Sequence, residues 1–319
     1  MSINLASGLR DDDLTPWERH FLVRNKIGIH YIEQARYWFD TLLADIEQWF
    51  NRSNSTLIVG INGSQGSGKS TLADYLCCAA MAQQKIQAVA LSLDDFYLTK
   101  SQRNVLSNNV HPLLGTRGVP GTHDINLALD TIDNLSAQST SVKVPRFNKA
   151  TDDRHIDSEL ETVSSPVKLI VLEGWCLGAQ PQSDSALVAP LNALERDHDS
   201  DGAWRHYVNR TLATDYQDLF SRVDRWVMLQ APSFHQVYTW RLEQEQKLIA
   251  RFKENAQPLP DGIMRPTDLE RFIQHYQRIT ECLLEDMPAR VQHLFKLNKE
   301  RLIVDLSLIH ISEPTRLGF

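Results

Sequence analysis

Leu57-Ile58-Val59-Gly60-Ile61 is an apolar, β-branched run that reads as a buried parallel strand. Gly63-Ser64-Gln65-Gly66-Ser67-Gly68-Lys69-Ser70 comes directly after it, and Thr71-Leu72-Ala73-Asp74-Tyr75-Leu76 opens a helix. A strand, a glycine loop and a helix start in this order aim backbone N–H groups and the positive end of the helix dipole at a polyphosphate. Gly63, Gly66 and Gly68 admit backbone angles that a Cβ forbids. Lys69 can reach the β- and γ-phosphates, the Ser70 hydroxyl can ligate Mg²⁺, and Ser64, Gln65, Ser67 and Thr71 complete the cradle. The stretch implies a nucleoside triphosphate site.

The rest of the chain bounds what such a site can serve. A length of 319 residues fits one large α/β domain with attachments, or two small domains. A formal charge of −7 opposes a broad nucleic-acid footprint, which needs a basic face. Cys77, Cys78, Cys176 and Cys282 show no metal-ligand spacing and suit a reducing cytosol. There is no basic-then-apolar signal pattern and no apolar run of membrane-spanning length, so the expectation is a cytoplasmic protein without a membrane partner. The oligomeric state is not legible.

Hydrophobic spacing predicts one amphipathic helix over Tyr31–Phe50, then a polar break at residues 51–55. Strands are expected at 88–93, 142–145, 168–172, 226–229 and 302–304, and helices near 100–106, after Asp124, over 187–219, 234–253 and 267–284. This alternation predicts an α/β fold, a P-loop NTPase-type parallel sheet with helices on both faces. The expected organisation is an N-terminal helical extension (1–52), a P-loop nucleotide-binding domain (53–305) with a helical lid region, and a tail (306–319). Leu306–Arg316 resembles translated transposase-adapter DNA read through from a truncated gene, and is expected to be an artefact excluded from the fold.

A second constellation adds chemistry. Asp94 ends the second strand beside the phosphate loop, where open α/β sheets place their ligands. A carboxylate there can accept a proton from an acceptor hydroxyl or hold Mg²⁺. Glu173, after four apolar strand residues, is the acid expected to contact Mg²⁺ or its waters.

Leu91-Ser92-Leu93-Asp94-Asp95-Phe96-Tyr97-Leu98-Thr99 resembles the Asp motif of the uridine kinase, phosphoribulokinase and pantothenate kinase superfamily. Arg117-Gly118-Val119-Pro120-Gly121-Thr122-His123-Asp124, Val144-Pro145-Arg146-Phe147-Asn148-Lys149 and Leu172-Glu173-Gly174-Trp175-Cys176-Leu177-Gly178 resemble one branch, D-glycerate 3-kinase of the plant type and its microbial relatives. The resemblance runs from about Leu57 to Leu248. It implies ATP and Mg²⁺ as cofactors, Lys69 and Ser70 on the phosphates and the metal, and Asp94 as general base. It places Tyr97, Arg117, His123, Arg146 and Lys149 in the acceptor pocket, with Arg154 expected to reach the substrate. Arg241, in Val237-Tyr238-Thr239-Trp240-Arg241, resembles the lid arginine that meets the transferring phosphoryl group. One departure stands out: Thr151-Asp152-Asp153-Arg154-His155 lacks the glycines of the plant-type loop, which leaves the acceptor's identity open.

The leading expectation is phosphorylation of a hydroxyl on a small metabolite, D-glycerate first, with a nucleoside or a pantothenate-like acid as alternatives. A regulatory NTPase is the reading from another class. Against a GTPase, Asn148-Lys149-Ala150-Thr151 lacks the Asp of an Asn-Lys-x-Asp element.

Overall fold

The computed structural model describes residues 8–52, 55–137, 141–254 and 266–309. Among them, six strands form one sheet: β1 (Leu57–Gly63), β2 (Ala88–Ser92), β7 (Leu169–Gly174), β8 (Arg225–Gln230), β9 (His293–Leu297) and β10 (Ile303–Leu308). Four two-residue strands pair off outside it, β3 (Val142–Lys143) with β6 (Thr162–Val163) and β4 (Phe147–Asn148) with β5 (Asp153–Arg154). The sheet order is β10-β9-β8-β1-β7-β2. All neighbours are parallel except β10, which runs antiparallel to β9. Every residue of β1 and β7 is buried, so both strands read as continuous apolar runs rather than alternating ones. This is the α/β architecture of a P-loop NTPase sheet flanked by helices.

The register carries the site. Glu173 on β7 pairs with Ile61 of β1 on one side and Ser92 of β2 on the other. The carboxyl ends of three adjacent strands therefore present the phosphate loop, Glu173 and the segment that starts two residues before Asp94.

The helix Lys69–Ala79 packs on β2 and β7. Its Tyr75 is buried among aromatic rings of the N-terminal region, with Trp17 at 5.6 Å, Phe21 at 5.5 Å and Phe39 at 5.9 Å between centroids. That region differs from the single helix expected over Tyr31–Phe50. Two helices, His30–Trp38 and Asp40–Arg52, meet at Phe39, whose ring also lies edge-on to Phe295 of β9 at 5.2 Å. Breaking the helix there lets Phe39 bury between the phosphate-loop helix and the sheet. A further helix, Pro16–Asn25, precedes them. Thr15 and Glu18 form its capping box, and Arg36 grips the buried Glu18 carboxylate with two hydrogen bonds of 2.8 and 2.7 Å.

Two long helices, Phe234–Glu254 and Pro266–Asp286, pack against each other in the region expected to form a lid. The boundary expected after Asp305 falls within β10, where Leu306 pairs with Phe295. The remainder of the expected tail, from residue 310, lies outside the described residues. Among the described residues no helix is long and apolar enough to cross a membrane.

Candidate active site

The loop between β1 and the helix Lys69–Ala79 curls through Gly66 (φ +80°) and Gly68 (φ +92°), and Gly68 is the helix N-cap. Only glycine adopts such angles without strain, which is how the chain turns tightly enough to bring the first helical N–H groups to the loop's mouth. The Ser64 and Ser67 hydroxyls and the Gln65 side-chain amide oxygen Oε1 are buried and lack a hydrogen-bond partner. Unsatisfied polar atoms at such a loop suit a polar ligand.

Beneath the loop, the Ser70 hydroxyl donates to Glu173 Oε1 at 2.6 Å, and Lys69 Nζ stands 3.8 Å from Glu173 Oε2. Glu173 is buried, with 3% of its surface exposed. Two oxygen donors and one ammonium thus share a point at the end of β7, the chemistry a hard cation and a phosphate chain require. Among the described residues no three His, Cys, Asp or Glu side chains converge as a metal cage. Mg²⁺ does not require one, since it takes one or two carboxylates and completes its shell with phosphate and water.

Asp94 lies across the cleft. Tyr97 OH donates to its Oδ1 at 2.8 Å and Lys149 Nζ to its Oδ2 at 2.8 Å. Burial raises the Asp94 pKa, but the charges of Lys149 and Lys69 and these two hydrogen bonds outweigh it and hold the carboxyl well below the usual range. Asp94 is ionised at neutral pH. Burial, with the neighbouring Asp94 charge, pushes the Tyr97 phenol far up, so it stays a donor.

A cleft of about 500 Å³ joins the two halves, lined by Gln65, Gly66, Gly68, Lys69, Ser70, Thr71, Asp94, Tyr97, Arg117, Lys149 and Arg241. Most of the residues singled out from sequence therefore meet in one place. Arg117 is fixed by an ion pair with Asp152 and lies over the Phe147 ring at 5.4 Å. Arg103 stacks on the same ring at 5.6 Å and bonds Asp152 at 2.6 Å. Arg241 is paired with the buried Glu245 one helical turn on.

Three expected pocket residues do not line this cleft. His123 stacks on Tyr97 at 4.4 Å and shares a 2.5 Å hydrogen bond between Nδ1 and Tyr216 OH. Burial drives its pKa down to about 4, so the ring is neutral at pH 7. Arg146 bonds Asp95 at 2.9 Å. Arg154 bonds Asp124 at 2.9 Å and the Tyr97 carbonyl at 2.8 Å. Each braces the segment that carries Asp94 and Tyr97.

Four lining residues escape sequence reasoning as site residues: Trp175, Gln244, Phe272 and Tyr276. Trp175 meets Tyr276 edge-on at 4.8 Å, and its Nε1 donates to the Gly118 carbonyl at 3.0 Å. Tyr276 OH donates to the Arg117 carbonyl at 3.3 Å. Phe272 and Tyr276, four apart on one helix, carry the spacing of a core stripe, and only the fold turns them onto the cleft.

No family model matches the chain. Over 245 residues it is 32% identical to the uncharacterized kinase mug58 of Schizosaccharomyces pombe, a match covering 74% of this chain and 84% of that protein. The chain belongs to the P-loop kinase superfamily. Within it, this small-molecule kinase falls among D-glycerate 3-kinase and its relatives. It is 31% identical over 230 residues to the chloroplastic D-glycerate 3-kinase of Arabidopsis thaliana, covering 68% of this chain and 47% of that longer protein. Among solved structures, the D-glycerate 3-kinase from Cryptococcus neoformans var. grubii shares the fold at a TM-score of 0.66. Identity there is 23%, with 84% of this chain and 99% of that one covered.

Proposed function

We propose that this kinase transfers the γ-phosphoryl group of ATP to a hydroxyl of D-glycerate. The observation that carries the reading is the pairing, across one cleft, of Lys69 and Ser70 with an ionised Asp94 held by Lys149 beside Arg117. The phosphate loop takes the triphosphate, with Lys69 on its terminal groups. Ser70 and Glu173 would hold Mg²⁺, which supplies charge neutralisation on the β- and γ-phosphates. Arg117 and Lys149 offer a two-pronged donor and a point charge to the acceptor's carboxylate. Asp94 receives the acceptor hydroxyl as a hydrogen bond. In a loose transition state the proton leaves late, so the orientation Asp94 imposes on the hydroxyl counts for most. Arg241 is close enough to the cleft to meet the migrating phosphoryl group. His123, Arg146 and Arg154 act from behind by fixing Tyr97 and the Asp94 segment.

The test is ADP release across a panel of hydroxy acids and nucleosides, with product position read by phosphorus NMR. D-Glycerate should give the highest kcat/KM and a 3-phosphate product. A nucleoside outranking it, or an ADP-release rate that D-glycerate does not raise above the acceptor-free rate, would overturn the assignment.

A further inference from the structure

A second pocket, about 410 Å³, shares Phe272 with the catalytic cleft. It is lined by His111, His198, Arg271 and His275, and by the carboxylate of Asp268. Thr116, also in the wall, is the chain neighbour of Arg117 in the cleft.

Three of these groups present a defined function. Arg271 is exposed and, among the described residues, has no carboxylate partner. His111 accepts from the Leu113 N–H through Nδ1 at 3.2 Å, so its Nε2 carries the proton and is a donor. That Nε2 is 4.0 Å from Asp199, whose charge is already met by Arg205 at 2.8 Å and by two backbone N–H groups. His275 has the reverse arrangement. Its Nδ1 donates to the Phe272 carbonyl at 3.0 Å, which leaves Nε2 as an acceptor. That nitrogen is buried, in a residue only 9% exposed, and has no partner among the described residues. Burial, with Arg271 and His198 nearby, lowers its pKa to about 4 and keeps the acceptor form at neutral pH.

Arg271, His111 and His275, whose ring also borders Trp204 at 5.8 Å, bring a cation, an N–H donor and one orphaned acceptor to the lining of this pocket, a set that matches a specific ligand class. We propose that this pocket binds a small oxyanion that also carries a hydroxyl, of which protonated phosphate is the simplest example. The oxyanion meets Arg271 and His111, and the P–OH donates to His275 Nε2. Sulfate, equally charged but without a proton at neutral pH, leaves that acceptor unpaired and binds less tightly. The helix Pro266–Asp286 carries Arg271 and His275 toward this pocket and Phe272 and Tyr276 toward the cleft, so occupancy here bears on the acceptor's walls.

The probe is inorganic phosphate against sulfate, titrated calorimetrically at pH 7.5 into the full chain carrying Lys69→Ala, which weakens anion capture at the phosphate loop. Phosphate should bind at one site about tenfold or more tighter than sulfate, and Arg271→Gln in that background should weaken it by about tenfold. His275→Leu should abolish the preference while sulfate binding persists. The histidine substitution is buried, whereas Arg271→Gln and the sulfate comparison do not touch the core. Equal affinity for the two anions, no binding at all, or binding indifferent to Arg271→Gln would overturn the site. Because the readout is binding, none of these outcomes depends on which acceptor the kinase phosphorylates.

Discussion

Substituting Gly118 by Ala tests how the cleft's aromatic wall is built. Gly118 has φ +138°, and a Cβ there would stand 2.2 Å from Tyr276 Oη, 2.7 Å from Cζ and 2.8 Å from Cε1. Two costs add. Holding a side chain at that φ takes about 1–2 kcal/mol. Displacing a buried ring that is pinned by its bond to the Arg117 carbonyl and its edge contact with Trp175 takes about 1–3 kcal/mol more. With an unfolding entropy of about 2.1 cal/mol/K per residue, a loss of about 2–5 kcal/mol lowers the thermal midpoint by about 3–7 °C. Circular dichroism melts measure this, and the acceptor's KM should rise in the same variant because Tyr276 lines the cleft. The decisive comparison repeats Gly118→Ala in a Tyr276→Ala background, where only the backbone cost of about 1–2 kcal/mol should remain. An equal cost in both backgrounds would refute the steric account.

Asp94→Asn should lower kcat by about tenfold or more with an unchanged melting temperature, and near-normal turnover would remove Asp94 from the chemistry. Lys149→Met deletes the nearest positive charge that depresses Asp94, so the acid limb of kcat/KM against pH should move to higher pH. A stationary limb would show that Lys149 does not set that titration. His123 has a folded pKa of about 4, below its unfolded value of about 6.5, so the fold favours the neutral ring. Its contribution is complete above pH 6.5 and is lost as pH falls toward 4, amounting to about 3 kcal/mol. Urea unfolding across that window should flatten in His123→Phe, and an unchanged slope would contradict the burial account.

The sequence was most legible where local chemistry and fold agree. The run from Leu57 to Leu76 states a strand, a loop and a helix in period, glycine placement and charge, and the structure follows each of them. The Pro16–Asn25 helix announces itself through Thr15, Pro16 and Glu18, a capping signal that hydrophobic spacing alone does not register. The break at Phe39 has no local sign, since it depends on Phe295 more than two hundred and fifty residues away. Strand β9 is five residues long, too short for its period to separate it from other apolar runs. Within the site, the motif residues were found by order along the chain, but side-chain direction was not. Arg146 and Arg154 look like free loop cations until Asp95 and Asp124 are placed opposite them.

On the proposed reading, the contact between Lys149 and Asp94 makes acceptor capture and acceptor activation a single event. A carboxylate that draws the ammonium toward itself strips Asp94 of its strongest counter-ion at the moment the alcohol arrives, and the aspartate becomes more basic as the acceptor seats. Water carries no such group. It meets an aspartate still quenched by its lysine, and the nucleotide is spared from idle hydrolysis.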